Sequence, residues 1–144
     1  MSKPLRLMAL DSEDVPVISA LVQDAVVRPS DVALDARQRR FVLLMNRFCW
    51  EAADEEPKRV RTALRIEGVL KAARKGWPAT AATDQDTVLA LLAITVTPGE
   101  EGAATVDLDF AGPAAVRLDV ECVEIVLEDL TDPWPARAKP VHEA

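Results

Sequence analysis

Residues 41–50 (FVLLMNRFCW) constrain the fold more than any other stretch. The run is apolar at both parities, with Phe41, Leu43 and Met45 on one face of an extended strand and Val42, Leu44, Phe48 and Trp50 on the other. A strand with two apolar faces requires cover on both sides. Asn46 and Arg47 interrupt it. Polar groups inside a covered strand must be partnered, so these two either satisfy a structural network or line a pocket.

Cover for that strand is expected from a helix upstream. Val15, Ile18, Val22 and Ala25 fall at helical spacing with Leu21 beside them, Asp11 or Ser12 can cap the start, and Pro16 is early enough to be tolerated. Before the helix, residues 5–10 read as a short strand. Seven strand segments are expected after it, at 25–28, 31–35, 40–50, 59–71, 88–97, 104–110 and 114–119. In 104–120, Val106, Leu108 and Phe110 alternate with Thr105, Asp107 and Asp109. After the turn at Ala111-Gly112-Pro113-Ala114, Val116, Leu118 and Val120 alternate around Arg117 and Asp119. This is a hairpin in which Arg117 can face Asp107 or Asp109.

Val123, Val126, Leu127 and Leu130 then fall at i, i+3, i+4 and i+7, which predicts a C-terminal helix over 120–130. The expected class is therefore α+β: a curled, mainly antiparallel sheet or barrel of about seven strands with an N-terminal amphipathic helix and a C-terminal helix. That order of elements is similar to a pleckstrin-homology-like domain; a flatter sandwich with helices on one face is the alternative. The 144 residues suffice for one domain, assigned to 1–130, followed by a Pro-rich tail at 131–144.

Charge is unevenly distributed. Between Arg37 and Lys75 stand 11 basic and five acidic residues, a balance of +6, while the rest carries −13 for a net −7. An acidic chain is a poor ligand for nucleic acid or anionic lipid, so neither nucleic acid nor membrane is an expected partner. No secretory signal or bilayer-length apolar run is present, so the expected location is cytoplasmic.

The chemistry-bearing residues are few. The only histidine, His142, stands near the end of the tail, there is no Tyr, and no Gly-rich phosphate loop or Cys-x-x-Cys occurs. Cys49 and Cys122 sit in apolar runs and read as small core hydrophobes. The acids Asp11 to Asp14 suit a helix start, and Glu51, Asp54, Glu55 and Glu56 lack calcium-loop spacing. No catalytic residue, metal ligand or cofactor is assigned.

What remains is a basic strand face. Arg59, Arg61 and Arg65 alternate with Val60, Thr62, Leu64 and Ile66, and pairing of this strand with 40–50 brings them near Arg39, Arg40 and Arg47. Candidate binding residues are thus Arg40, Asn46, Arg47, Arg59, Arg61 and Arg65. They suit an acidic protein or anionic ligand, or a contact in a homo-oligomer. Pairing within the chain or between subunits with its acidic remainder, such as Asp107, Asp109 and the Glu-rich last helix, is the competing expectation.

Segments 7–14, 17–26, 39–51 and 116–124, and above all Asn46-Arg47-Phe48-x-Trp50-Glu51, resemble a domain-of-unknown-function family of short bacterial proteins. The likeness runs nearly the whole chain. It implies a bacterial cytoplasmic protein and carries over no activity, ligand or catalytic residue. The expected function is a non-catalytic binding or protein-interaction module. An enzyme or enzyme subunit using carboxylate and Arg chemistry at Asn46, Arg47 and Glu51 is the alternative, and a purely structural subunit a third.

Overall fold

The computed structural model describes residues 4–52, 56–78 and 87–136. Among them, strand β1 (Arg6–Ala9) leads into the helix α1 (Val15–Val22), then β2 (Ala25–Val27), β3 (Val32–Asp35) and the long pair β4 (Arg40–Phe48) and β5 (Lys58–Ile66). There follow β6 (Val69–Lys75), β7 (Leu89–Pro98), β8 (Ala104–Phe110), β9 (Ala115–Val120), β10 (Ile125–Asp129) and the two-residue β11 (Trp134–Pro135). All are joined in one open antiparallel sheet with the order β1-β10-β5-β4-β2-β7-β8-β9-β6; β3 flanks β4 and β11 flanks β5. No helix among the described residues is long and apolar enough to cross a membrane.

Two expectations are corrected here. Among the described residues the architecture is an open sheet of eleven strands with one α-helix, not a barrel of about seven strands held between two helices. Residues 125–129 form β10, paired with β1 on one side and β5 on the other, so the pleckstrin-homology-like order fails for want of its terminal helix. In a short apolar run the i, i+3, i+4 spacing arises as readily from a strand buried on both faces. Ile125, Val126 and Leu127 are all buried, and β-branched Val123, Ile125 and Val126 suit an extended backbone.

The expected strand 59–71 is two strands. Gly68, at φ +69°, breaks it after Glu67. This short link shapes the whole sheet. β5 is third in the strand order and β6 ninth, a separation of about 29 Å if the sheet were flat. Residues 67 and 68 span at most about 10 Å. The sheet therefore has to turn back on itself. Residues 121–124, which join β9 to β10, turn the same corner. Glu67 N–H donates to the Glu124 carbonyl at 3.0 Å and Glu121 N–H to the Gly68 carbonyl at 2.9 Å, so the two links stay hydrogen-bonded through the bend.

That bend gathers inward side chains from both ends of the strand order into one cluster, including Ala9, Leu43, Leu64, Leu108, Leu118 and Leu127. Helix α1 packs chiefly on β7, burying Val15, Ile18 and Val22, and Ser19 Oγ accepts the Ile94 N–H at 3.0 Å. The helix stops one turn short of its apolar stripe because Asp24 takes φ +63°, so Ala25 is buried from β2 instead. The expected cap is displaced as well. Asp14 holds the cap position without a side-chain capping bond, its carboxylate accepting the Leu10 N–H instead, while Asp11 Oδ1 accepts the N–H groups of Glu13 and Asp14.

β4 is fully covered on one face, while the other is half-buried until Phe48, which is buried beside Trp50 and Arg59. Phe41, Leu43, Met45 and Arg47 are buried, whereas Val42, Leu44 and Asn46 are half-buried. The hairpin expected at 104–120 forms as β8 and β9, with Asp107 opposite Arg117 and their side chains 2.8 Å apart.

Candidate binding site

Six residues are candidate binding residues, and β4 and β5 place five of them on one face and Arg47 on the other. Arg47 points inward. Its side chain is 0% exposed beside Asp129 at 6% and Glu51 at 41%. Nε and Nη2 donate to the two oxygens of Asp129, both at 3.0 Å. Nη1 donates to Glu51 Oε1 at 2.9 Å, Nη2 to Glu51 Oε2 at 2.7 Å, and Nη1 also reaches the Phe48 carbonyl at 3.4 Å. A guanidinium has five N–H donors, and five acceptor contacts are present. None is left over for a substrate.

Asp129 is saturated in turn: Oδ1 also accepts Thr62 Oγ1 at 2.8 Å and Oδ2 the Leu5 N–H at 3.0 Å. Burial opposes the charge on Arg47, but its bonds to Glu51 and Asp129 outweigh it and hold the proton more firmly than usual. Burial likewise opposes the Glu51 carboxylate, and the bond to Arg47 overcomes it, leaving Glu51 below the ordinary range. Beside them, burial raises the Cys49 thiol. Cys122 is exposed, which corrects its expected place in the core.

The other five residues line the outer face, and most are occupied by the chain's own groups. Arg61 Nη2 donates to Asp31 at 3.0 Å and Nη1 to Asn46 Oδ1 at 3.2 Å. Arg40 Nε donates to Glu67 Oε1 at 2.6 Å, and Arg65 Nε lies 2.8 Å from the same oxygen. The Arg65 N–H is not directed at that oxygen, so Nε stays without a hydrogen bond despite its proximity. Arg59 donates to the Asn46 carbonyl at 2.9 Å and stands 6.0 Å from the centre of the Phe48 ring. Burial lowers its pKa, with Asp24 opposing. The acids that occupy this face are Asp31 and Glu67 and not Asp107 or Asp109. Asp107 is spent on Arg117.

The open surface lies instead on β6, at the end of the strand order. Within the described residues β6 pairs with β9 alone, and every residue from Leu70 to Lys75 is exposed. It brings Lys71, Arg74 and Lys75 and no acid. Ala72 and Arg74 are opposite Leu118 and Val116, so they share the core face; Lys71, Ala73 and Lys75 are opposite Asp119, Arg117 and Ala115 on the outer face.

A cleft adjoins each face. On the core side, Ala72 and Arg74 face Val32, Leu34 and Phe41 across about 290 Å³, with Trp77 in the wall. Trp77 packs edge-on against Phe110 at 5.5 Å, and the Arg74 guanidinium lies 5.7 Å from its ring centre. On the outer side a cleft of about 410 Å³ is walled by Lys75, Asp107, Asp109 and Arg117 among others. None of the six expected residues enters either wall.

Lys71, Arg74 and Lys75 belong to the basic middle of the sequence, but the strand expected at 59–71 joins Lys71 to β5 and leaves Arg74 and Lys75 in no strand. Gly68 was the one local signal that could have separated it. Among the described residues, no three His, Cys, Asp or Glu side chains cluster as a metal site. His142, Asp54 and Glu55 lie outside the described residues.

The family model described as "Protein of unknown function (DUF2948)" matches residues 5–142. No curated protein and no solved structure gives a match.

Proposed function

The chain belongs to the DUF2948 family over residues 5–142, and we propose that it is a non-catalytic interaction module that takes an extended acidic segment of a partner protein alongside β6. One observation carries this reading: beyond Val69, whose N–H is taken by the Arg39 carbonyl, the β6 edge is exposed from Leu70 to Lys75 and offers three cations and no acid in a chain of net charge −7. An exposed edge presents free backbone donors and acceptors, and an added strand satisfies them.

Charge selects the occupant. A second copy paired antiparallel about Ala73 would set Lys71 against Lys75 twice, and like charges directly opposite are destabilising. An acidic strand has the opposite sign at those positions. In this reading the Arg40, Arg59, Arg61 and Arg65 face, already occupied by Asp31, Glu67 and Asn46, is scaffold and not contact surface. The setting is a bacterial cytoplasm, as the likeness of the sequence segments implies.

The test uses a fluorescein-labelled peptide of alternating Glu and Thr titrated with the full chain. Anisotropy should rise, the rise should weaken with salt, and amide exchange in Leu70–Lys75 should slow. Combined substitution K71E, R74E and K75E should remove binding while leaving the thermal transition in place. Binding that leaves β6 exchange unchanged, or that survives the triple substitution, refutes the reading.

A further inference from the structure

We infer that the segment accepted by β6 carries one large aliphatic side chain seated in the cleft between β3 and β6, with acids at three fixed positions around it. This deepens the interaction reading above and rests on it. Residues directly opposite in an antiparallel pair share a face. A strand added beside β6 therefore sends the side chain opposite Ala72 into the cleft of Val32, Leu34, Phe41 and Trp77.

Ala72 is small enough to leave that space open, and the far wall is already apolar. Leu34, 48% exposed, is an unburied aliphatic residue on the core-facing register of β3, opposite Phe41. The remaining positions follow from register. The next residue toward the C-terminus of the added strand faces Lys71. Toward its N-terminus, the next faces Ala73, and the second and third face Arg74 and Lys75.

The pattern, read from N- to C-terminus, is acid, acid, any residue, large aliphatic, acid. Antiparallel addition is the direction chosen because every pairing in this sheet is antiparallel and parallel pairs are weaker per residue. Parallel addition would require the same pattern reversed. Arg74, stacked near Trp77 at the cleft mouth, meets the acid two positions before the aliphatic residue on the same face.

The experiment compares three labelled peptides against the full chain: Thr-Glu-Asp-Ala-Leu-Glu-Thr, the same with Leu replaced by Ala, and the reversed sequence. The Leu peptide should bind at least about tenfold more tightly than either of the others, the scale set by burying one aliphatic side chain. Leu34→Asn, on the exposed far wall, away from the β6 backbone and without added charge, should erase the advantage of Leu over Ala without weakening the Ala peptide. Equal binding of the Leu and Ala peptides leaves the edge reading standing and overturns the anchor. Equal or tighter binding of the reversed peptide overturns the antiparallel register. Failure of all three at millimolar protein overturns both readings.

Discussion

Arg47 and Asp129, 82 residues apart in sequence, close a two-bond fork at 3.0 Å on each arm inside a largely apolar face of the sheet. The geometry joins the end of β4 to the end of β10, and Asp129 passes the link on to Thr62 of β5 and to the backbone of Leu5. Three strands and the chain's N-terminal segment are thereby fixed around one charge pair.

Removing one member of a buried pair strands the other's charge, which costs about 3–5 kcal/mol. Arg47→Met should therefore lower unfolding free energy by about that amount in urea titration. Arg47→Met combined with Asp129→Leu should cost less than Arg47→Met alone. A double variant less stable than the single one would show that the pair is not the source of the effect.

Glu51 is held below its ordinary carboxylate range, mainly through Arg47 against the opposing effect of burial. A depressed folded value means the unfolded chain binds the proton first on acidification. The contribution is complete above the ordinary value of 4.5 and is lost as pH falls through the lowered folded value. Chemical denaturation between pH 7 and 3 should show this decline, and Glu51→Gln should make it shallower. An unchanged slope in the variant would contradict the assignment.

Two glycines with similar backbone angles should respond differently to alanine. At Gly76, φ +60°, an added Cβ would lie 2.2 Å from the Pro113 carbonyl oxygen; at Gly112, φ +82°, it meets nothing within 4 Å. Gly112→Ala should cost about 1 kcal/mol for the left-handed backbone, and Gly76→Ala about 3 kcal/mol or more because the backbone must also move. Calorimetric midpoints of the two variants settle the order.

The two thiols differ in reach. Cys122 is exposed, while Cys49 is buried and its thiol is raised by that burial. With an aromatic disulfide reagent at pH 8, one thiol per chain should react promptly, and peptide mapping should place it at Cys122; Cys49 should follow only on unfolding. Prompt labelling of both would mean that the β4 end opens readily.

The hairpin of β8 and β9 was legible because both arms alternate cleanly, whereas the choice of Asp107 over Asp109 as the partner of Arg117 depends on a register that alternation alone leaves open. β10 was misread because Val123, Val126, Leu127 and Leu130 fall at helical spacing while the run Ile125-Val126-Leu127 equally suits a strand buried on both faces, and only its two strand neighbours decide between them. Asn46 and Arg47 were visible as an interruption that needs partners. Parity alone says that adjacent strand residues face opposite sides, yet it does not say which side is core. Glu51 lay four residues from Arg47 in plain view. Asp129 could be found only through the pairing of β10 with β5. The β6 edge was hidden for the same reason: a strand's place at the end of a sheet is a property of topology, which no local pattern encodes.

The bond from the Leu5 N–H to Asp129 spans 124 positions of the chain. Pairing β1 with β10 thus closes nearly the longest loop the chain allows, and the loss of chain freedom comes before the contacts that repay it. The β8–β9 and β4–β5 hairpins can assemble early from near neighbours, whereas the N-terminal strand must wait for β10 to be in position. Refolding should accordingly fall in the millisecond-to-second class of high contact-order proteins, with the N-terminal seam closing last.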